Sequence, residues 1–243
     1  MTSETSLLST RAVPPRERLI AALDVPSPDD ARRLVTALGD AVCFYKLGFE
    51  LLMSGAYFAL ADELAGAGKK LFLDLKLYDI PETVGRAMRS LRARRAQFVT
   101  VHYGARVLEA ACRERGELGI LAVTVLTSIG PDDLRDLGYP AGVAAEQLVI
   151  ERARRAFEIG CEGVVASPLE AARIRAAVGP KLAIVTPGIR PATAADDQRR
   201  VATPRAAFES GADYIVVGRP IRDAVDPRGA ALAIQETIAS VFA

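Results

Sequence analysis

Eight short runs of β-branched and aliphatic residues recur along the chain, and they limit its fold more than any other feature. The runs are apolar on both faces, and Ala-rich segments with helical periodicity separate them. Such an alternation is typical of a parallel sheet that is covered by helices. The runs are LIAALDV (19–25), VCFYKLG (42–48), KLFLDLK (70–76), QFVTVHY (97–103), ILAVTVLT (120–127), EGVVAS (162–167), LAIVTP (182–187) and DYIVVG (213–218).

A closed (β/α)₈ TIM barrel of the α/β class is the fold that this alternation predicts, because eight parallel strands in 243 residues need no second core. A doubly wound open sheet is the alternative. No linker or change of composition divides the chain, so we predict a single catalytic barrel domain at residues 18–243. Residues 1–17 are predicted to be a flexible N-terminal tail.

Local signals predict where several helices begin and end. Ser27 opens the segment SPDDARRLVTALG and is suited to be its N-cap. Gly160 ends the segment VAAEQLVIERARRAFEIG, at the position where glycine is favoured after a helix. Pro81 suits the first turn of a helix that follows the third strand.

Charge and composition exclude several classes of function. Lys and Arg number 31 against 30 Asp and Glu, so no global field attracts nucleic acid or an anionic membrane. The three cysteines form no CxxC pair and His102 is the only histidine, which excludes a zinc site and a disulfide framework. Because the chain begins without the apolar stretch of a signal peptide and has no run of roughly 18 apolar residues, we expect a soluble cytoplasmic protein.

Polar residues stand where the predicted strands end. In a parallel barrel the carboxyl ends of all strands open on one face, where barrel enzymes carry their active sites. These residues are therefore expected to converge in space. They are Asp24 on the first strand, Lys46 on the second, Asp74 and Lys76 on the third, His102 on the fourth, and Thr127 and Ser128 on the fifth.

Asp74 and Lys76 are two residues apart, so both side chains face the barrel mouth if Phe72 points inward. Lys46 on the neighbouring strand can then reach Asp74, and Asp24 can extend an alternating chain of acids and bases. One interpretation is that such a network merely neutralises buried charges. Buried ion pairs are rarely more stabilising than apolar packing, however, so these charges on a functional face favour a catalytic role.

Two segments near the C terminus predict a phosphate site. Gly218 and Arg219 follow the last strand and precede a helix start, and the loops after strands seven and eight of barrels often bind phosphate. The polar segment 186–204 is long for a loop, and its Arg190 and Gln198 are candidates to close over the same group. An ordinary turn and a loose surface loop are the alternatives.

With these residues the chain resembles the orotidine 5′-phosphate decarboxylase family, bacterial type, whose members complete UMP synthesis. The resemblance extends from about Leu19 to Ile221 and keeps the family's order of motifs. The motifs are ALDV, YKLG, DLKLYDIPET with its D-x-K-x-x-D array, AVTVLTS, VTPGIRP followed by DDQRR, and VVGRPI.

The resemblance implies decarboxylation of orotidine 5′-monophosphate to UMP by a homodimeric barrel that needs neither cofactor nor metal. It implies that Lys76 protonates C6 of the pyrimidine, that Asp74 lies beside the substrate carboxylate, and that Lys46 is also catalytic. Asp79, another catalytic candidate, and Thr83 would reach the partner subunit's site. The substrate-binding residues that it implies are Asp24, Lys46, Asp74, Ile80, Thr83, Thr127, Ser128, Pro187, Arg190, Gln198, Gly218 and Arg219.

Two other functions stay open from the sequence. A sugar-phosphate decarboxylase or hexulose-phosphate synthase of the same superfamily shares the D-x-K-x-x-D array but stabilises an enediolate with Mg²⁺. Those relatives carry an acidic metal ligand where this chain has Lys46, and a cation there would oppose the metal. The second alternative is a non-catalytic barrel that binds phosphate and leaves its nucleotide unchanged.

Overall fold

A computed structural model describes residues 7–190 and 202–243 of the chain. Within this part, eight parallel strands pair in sequence order and the eighth pairs with the first, so the barrel is closed. The predicted (β/α)₈ barrel is therefore confirmed, and the open sheet is excluded. The strands are β1 (Leu19–Ala22), β2 (Phe44–Leu47), β3 (Lys70–Leu77), β4 (Phe98–His102), β5 (Gly119–Val123), β6 (Gly163–Val165), β7 (Ala183–Thr186) and β8 (Tyr214–Val217).

Helices connect the strands on the outside of the barrel. No helix in the described part of the chain is both long enough and apolar enough to cross a membrane. A 3₁₀ turn at Pro15–Glu17 precedes β1. The helices are α1 (Pro28–Leu38), α2 (Phe49–Met53), α3 (Tyr57–Gly66), α4 (Pro81–Leu91), α5 (Ala105–Glu114), α6 (Pro131–Asp136), α7 (Ala145–Ile159), α8 (Ala171–Val178), α9 (Pro204–Glu209), α10 (Arg219–Arg222) and α11 (Pro227–Val241).

The predicted helix ends are confirmed by their backbone geometry. The Ser27 hydroxyl accepts the backbone N–H of Asp30 at 3.1 Å, which satisfies one of the free donors at the start of α1. Gly160 ends α7 with φ of 94°, a left-handed conformation that favours glycine. Pro81 is the first residue of α4.

Seven of the eight strands end earlier than the apolar runs predict, and β3 ends one residue later. β5 stops at Val123, so Thr127 and Ser128 lie in the loop that follows it, and Asp24 lies two residues beyond β1. The reason is that apolar residues after β5, Val125 and Leu126, line a cavity at the barrel mouth and prolong the hydrophobic pattern. A loop that packs on a cavity wall has the same composition as a buried strand.

Two apolar layers hold the barrel together. The outer layer lies between strands and helices, and the inner layer fills the barrel below its mouth. The ring centroids of Phe44 and Phe98 are 5.7 Å apart in the inner layer, and a Cβ on Gly119 would lie 2.8 Å from the Phe98 ring. Glycine at that position therefore leaves room for the ring. The inner residues are Ile20, Ala22, Phe44, Phe72, Phe98, Leu121, Ala183, Val185, Tyr214 and Val216.

A buried ion pair fastens the end of the barrel opposite its mouth. Arg175 of α8 donates to Asp213 at 2.7 Å, and Asp213, which is fully buried, also accepts the backbone N–H of Ile184 at 2.7 Å. The N-terminal segment joins this cluster, because the hydroxyl of Ser9 donates to Asp213. Residues 1–6 lie outside the described part, and the flexible tail at residues 1–17 stays a prediction.

We expect Asp213→Ala to lower the free energy of unfolding by about 3–5 kcal/mol, because it leaves the Arg175 guanidinium buried without its counter-charge. Equilibrium urea denaturation followed by circular dichroism measures the change. Glu109→Ala is the matched control, since its partner Arg155 lies 3.0 Å away and both side chains are about half exposed. It should cost less than about 1 kcal/mol. Equal small losses in the two variants would contradict the role of Asp213.

Candidate active site

Four charged side chains from three adjacent strands alternate in sign at the barrel mouth. Asp74 accepts from Lys76 Nζ at 2.8 Å through Oδ1, and its Oδ2 lies 3.3 Å from Lys46 Nζ. Lys46 Nζ in turn donates to Asp24 at 2.8 Å. This is the chain of acids and bases that the two-residue spacing predicts, and Phe72 points inward below it. We call these four side chains the charge array.

The local structure of β3 departs from a regular strand where the charge array begins. Leu73 is in register with Val99 of β4, but the next partner of β4, Val101, aligns with Leu77, so β3 contains a bulge of two extra residues. Lys76 lies in this bulge with φ of 44°. A non-glycine residue in the left-handed region costs roughly 1–3 kcal/mol, and such strain is typical of functional sites.

Opposite charges in the array stabilise each other's ionised forms. Burial alone would raise the pKa of Asp74, but the two lysines beside it and the hydrogen bonds from Lys76 and Thr100 lower it below its ordinary value. Burial alone would lower the pKa of Lys46, and the charges of Asp74 and Asp24 reverse this and raise it. Asp74 and Lys46 are therefore both charged at neutral pH.

The charge array lines a cavity of about 310 Å³ that three arginines also line. Its size falls in the range of small-ligand sites. Arg190 is in the loop after β7, which is four strands away from β3 in the closed barrel, and Arg219 is at the start of the four-residue α10. Gly218 and Pro187, also predicted from the sequence, line the cavity together with Thr127. Apolar side chains of the strands complete the walls.

Other predicted site residues lie elsewhere. Asp79 is exposed in the turn before α4, where its carboxylate accepts the backbone N–H of Ile80 at 2.6 Å. Ile80 is exposed and Thr83 half-buried, and of the described residues neither these two nor Ser128 is among those that line the cavity. Gln198 lies outside the described residues. Within one chain, Asp79 therefore does not line this cavity.

Three residues near the charge array are absent from the sequence-based prediction. Thr100 is fully buried, and its hydroxyl donates to Asp74 at 2.9 Å. Arg222 lines the cavity and donates to the backbone carbonyl of Asp24 at 2.7 Å. The Lys76 ammonium lies 5.5 Å from the centre of the Phe49 ring. Thr100 could have been predicted from the sequence, because it is two residues from Phe98 and therefore on the same inward face of β4.

His102 ends β4 beside this site. Its ring lies 5.8 Å from that of Tyr78, and the side chain is half-buried. Burial, followed by the positive charges of Arg152 and Lys76, lowers the pKa of His102 below its ordinary value. The imidazole of His102 is therefore neutral at neutral pH.

Comparisons with known proteins agree on one family. Residues 17–234 match the model of the family described as "Orotidine 5'-phosphate decarboxylase / HUMPS family". A curated protein of Methylococcus capsulatus named orotidine 5′-phosphate decarboxylase is 54% identical over 240 residues, which are 98% of each chain. One of the same name from Rhodopseudomonas palustris is 52% identical over 227 residues, 92% of this chain and 95% of the relative.

Solved structures give the same result. The crystal structure of orotidine 5′-phosphate decarboxylase from Lactobacillus acidophilus superposes with a TM-score of 0.81 at 35% identity, over 91% of this chain and 99% of the other. That of the enzyme of the same name from Pyrococcus horikoshii has a TM-score of 0.73 at 27% identity, with the same coverage.

We expect the single histidine to titrate below about 6.5, its usual pKa. Its C2 proton gives one imidazole resonance, so a proton NMR titration measures the value directly. Lys76→Met should raise the pKa of His102 because it removes a nearby cation, whereas Lys181→Met, an exposed lysine beside β7, should leave it unchanged. A wild-type pKa above the usual value would contradict the geometry described.

Proposed function

The chain belongs to the orotidine 5′-phosphate decarboxylase / HUMPS family, and from this premise we propose that it converts orotidine 5′-monophosphate to UMP with Lys76 as proton donor. The observation that carries the proposal is that the charge array and three arginines, Arg190, Arg219 and Arg222, line one cavity. A nucleotide with a carboxylated ring at one end and a phosphate at the other matches this distribution of charge. A cytoplasmic role in de novo pyrimidine synthesis goes with the proposal.

The reaction needs a cation next to the carbon that loses CO₂. When the bond between C6 and the carboxylate carbon breaks, the electron pair stays on C6 in an orbital that the ring does not delocalise. The Lys76 ammonium stabilises this developing charge and then transfers a proton to C6, while CO₂ departs. The lysine is left neutral and regains its proton from solvent.

Asp74 has two effects on this step. Its carboxylate accepts a hydrogen bond from the Lys76 ammonium at 2.8 Å and so orients the lysine before the reaction. It also lies where the substrate carboxylate is proposed to bind, so the two like charges repel each other until CO₂ leaves. Lys46, held by Asp24 and Asp74, limits this repulsion and is placed toward the ribose with Asp24.

The arginines that line the cavity are proposed to bind the phosphate. Arg190 and Arg219 supply planar sets of donors that suit phosphate oxygens, and Gly218 lets the backbone approach closely. Gln198, which lies outside the described residues, stays a candidate for the same group. Binding energy from this remote group holds the ring against the charge array, so substrates without phosphate should lose turnover as well as affinity.

Mg²⁺-dependent chemistry of the hexulose-phosphate synthase type fits these residues less well. The carboxylates nearest the cavity, Asp24 and Asp74, already share the Lys46 ammonium at 2.8 Å and 3.3 Å. A divalent cation among them would meet that positive charge at contact distance. The relatives described above are, moreover, named for the decarboxylase.

A homodimer with shared active sites is the second part of the proposal. Large apolar side chains are exposed around the barrel mouth, among them Met53, Tyr78 and Ile80. Tyr78 is 68% exposed and Ile80 is 66% exposed. Exposed apolar clusters of this kind mark interfaces. Asp79 lies between Tyr78 and Ile80, Thr83 is in the first turn of α4, and we propose that both enter the partner subunit's cavity.

Wild-type protein should decarboxylate orotidine 5′-monophosphate, which is followed by the loss of its ultraviolet absorbance. Lys76→Ala should lower kcat by at least about 1,000-fold, since it removes both the electrostatic stabilisation and the proton donor. EDTA should leave the wild-type rate unchanged. No decay with the wild type would overturn the proposed activity, and dependence on added Mg²⁺ would favour the synthase-type alternative.

Mixed dimers should recover activity that each parent lacks. If one subunit supplies Lys76 and the other Asp79, a dimer of one Lys76→Ala chain and one Asp79→Ala chain has one intact site. Random exchange then restores about a quarter of the wild-type sites. A rate equal to the mean of the two parents, with subunit exchange verified by differently tagged chains, would contradict shared sites.

A further inference from the structure

In the described part of the chain, Thr100 links the backbone of the β3 bulge to the Asp74 carboxylate. Its hydroxyl oxygen accepts the backbone N–H of Lys76 at 2.9 Å, and the hydroxyl donates to Asp74 Oδ1 at 2.9 Å. The same Oδ1 accepts from Lys76 Nζ at 2.8 Å. Asp74 Oδ1 is thus linked to the Lys76 ammonium directly and to the Lys76 backbone N–H through Thr100.

We propose that Thr100 is a positioning residue for the decarboxylation, which sets the bulged conformation of Lys76 and the orientation of Asp74. The inference rests on the proposed function. Thr100 does not line the cavity and is fully buried, so it acts through Lys76 and Asp74 and makes no contact with substrate.

A hydroxyl is the group that this position requires. The bulge removes Lys76 from the regular ladder between β3 and β4, so its N–H needs another acceptor, and a buried N–H without one is strongly disfavoured. The carboxylate of Asp74 needs a donor at the same place. A single hydroxyl does both because it has one O–H donor and two lone pairs. Valine has the same shape and does neither.

Two consequences distinguish positioning from simple stabilisation. Thr100 bonds to Lys76 and Asp74, which are proposed to act on the ring, whereas the phosphate is proposed to bind at Arg190 and Arg219, so loss of the hydroxyl should lower kcat more than it raises KM. The hydrogen bond from Thr100 also favours the ionised form of Asp74, and its removal should raise the pKa of that carboxyl. Because the ionised form is the active one, the acid limb of the kcat/KM profile should move to higher pH.

The test compares Thr100→Val, Thr100→Ser and Thr124→Val with the wild type in the orotidine 5′-monophosphate assay. Thr124 is the matched control: it is also fully buried, it follows the neighbouring strand, and its hydroxyl donates to the carbonyl of Val165 at 3.1 Å, away from the charge array. Thr100→Val should lose about 10- to 100-fold in kcat, the size of effect that a misplacement near 1 Å produces. Thr100→Ser should recover most of it.

The outcomes separate the inference from the proposed function. An inactive wild type overturns the proposed function itself. An active wild type with Thr100→Val unchanged in kcat, or with a loss equal to that of Thr124→Val and an unmoved acid limb, overturns the role of Thr100. Circular dichroism checks folding, and Thr100→Ala, which removes the same hydroxyl without adding bulk, replaces the valine variant if that chain does not fold.

Discussion

Asp74 lies between two lysine ammonium groups in a largely buried pocket, and the rest of the active site depends on this arrangement. Only 8% of the residue is exposed, so water contributes little to its solvation. An unpaired charge in such a place costs several kcal/mol or more, so the ionised Asp74 is stable there only because the two ammonium groups lie beside it. Proton affinity, side-chain orientation and the binding of an anionic substrate are consequently coupled.

The barrel makes this coupling possible because it fixes three strands at once. Ala22, Lys46 and Phe72 stand side by side on β1, β2 and β3. Below the charges, the aromatic rings of the inner layer fill the barrel, and this packing opposes shifts of one strand relative to another. Sites that need a geometry accurate to about 0.5 Å are best built on such rigid elements. The β3 bulge is the one departure from regularity in this region, and it lies at Lys76, the proposed proton donor.

The chemistry of the family depends on a few side chains and not on the fold alone. A D-x-K-x-x-D array on β3 suits more than one reaction, because it provides both acids for a metal and a lysine for proton transfer. Lys46 disfavours metal binding. Its ammonium occupies the space between Asp24 and Asp74, and the same carboxylates that otherwise attract a divalent cation instead hold a lysine.

Much of the fold was predictable from the sequence because its signals are local. The eight apolar runs, the N-cap Ser27 and the C-terminal Gly160 depend on neighbours within a few residues, and all of them are confirmed. Strand ends were less predictable. Loop residues such as Val125 that pack on the cavity wall carry the same apolar pattern as a strand.

The sequence by itself determined that Asp24, Lys46, Asp74 and Lys76 meet at the barrel mouth, because a two-residue spacing and a parallel closed sheet leave little choice. Only the tertiary structure decided how they meet. The bulge at Lys76 and the buried hydroxyl of Thr100 arise from contacts between residues far apart in sequence. Their energies depend on the register of neighbouring strands and on burial, neither of which a local pattern encodes.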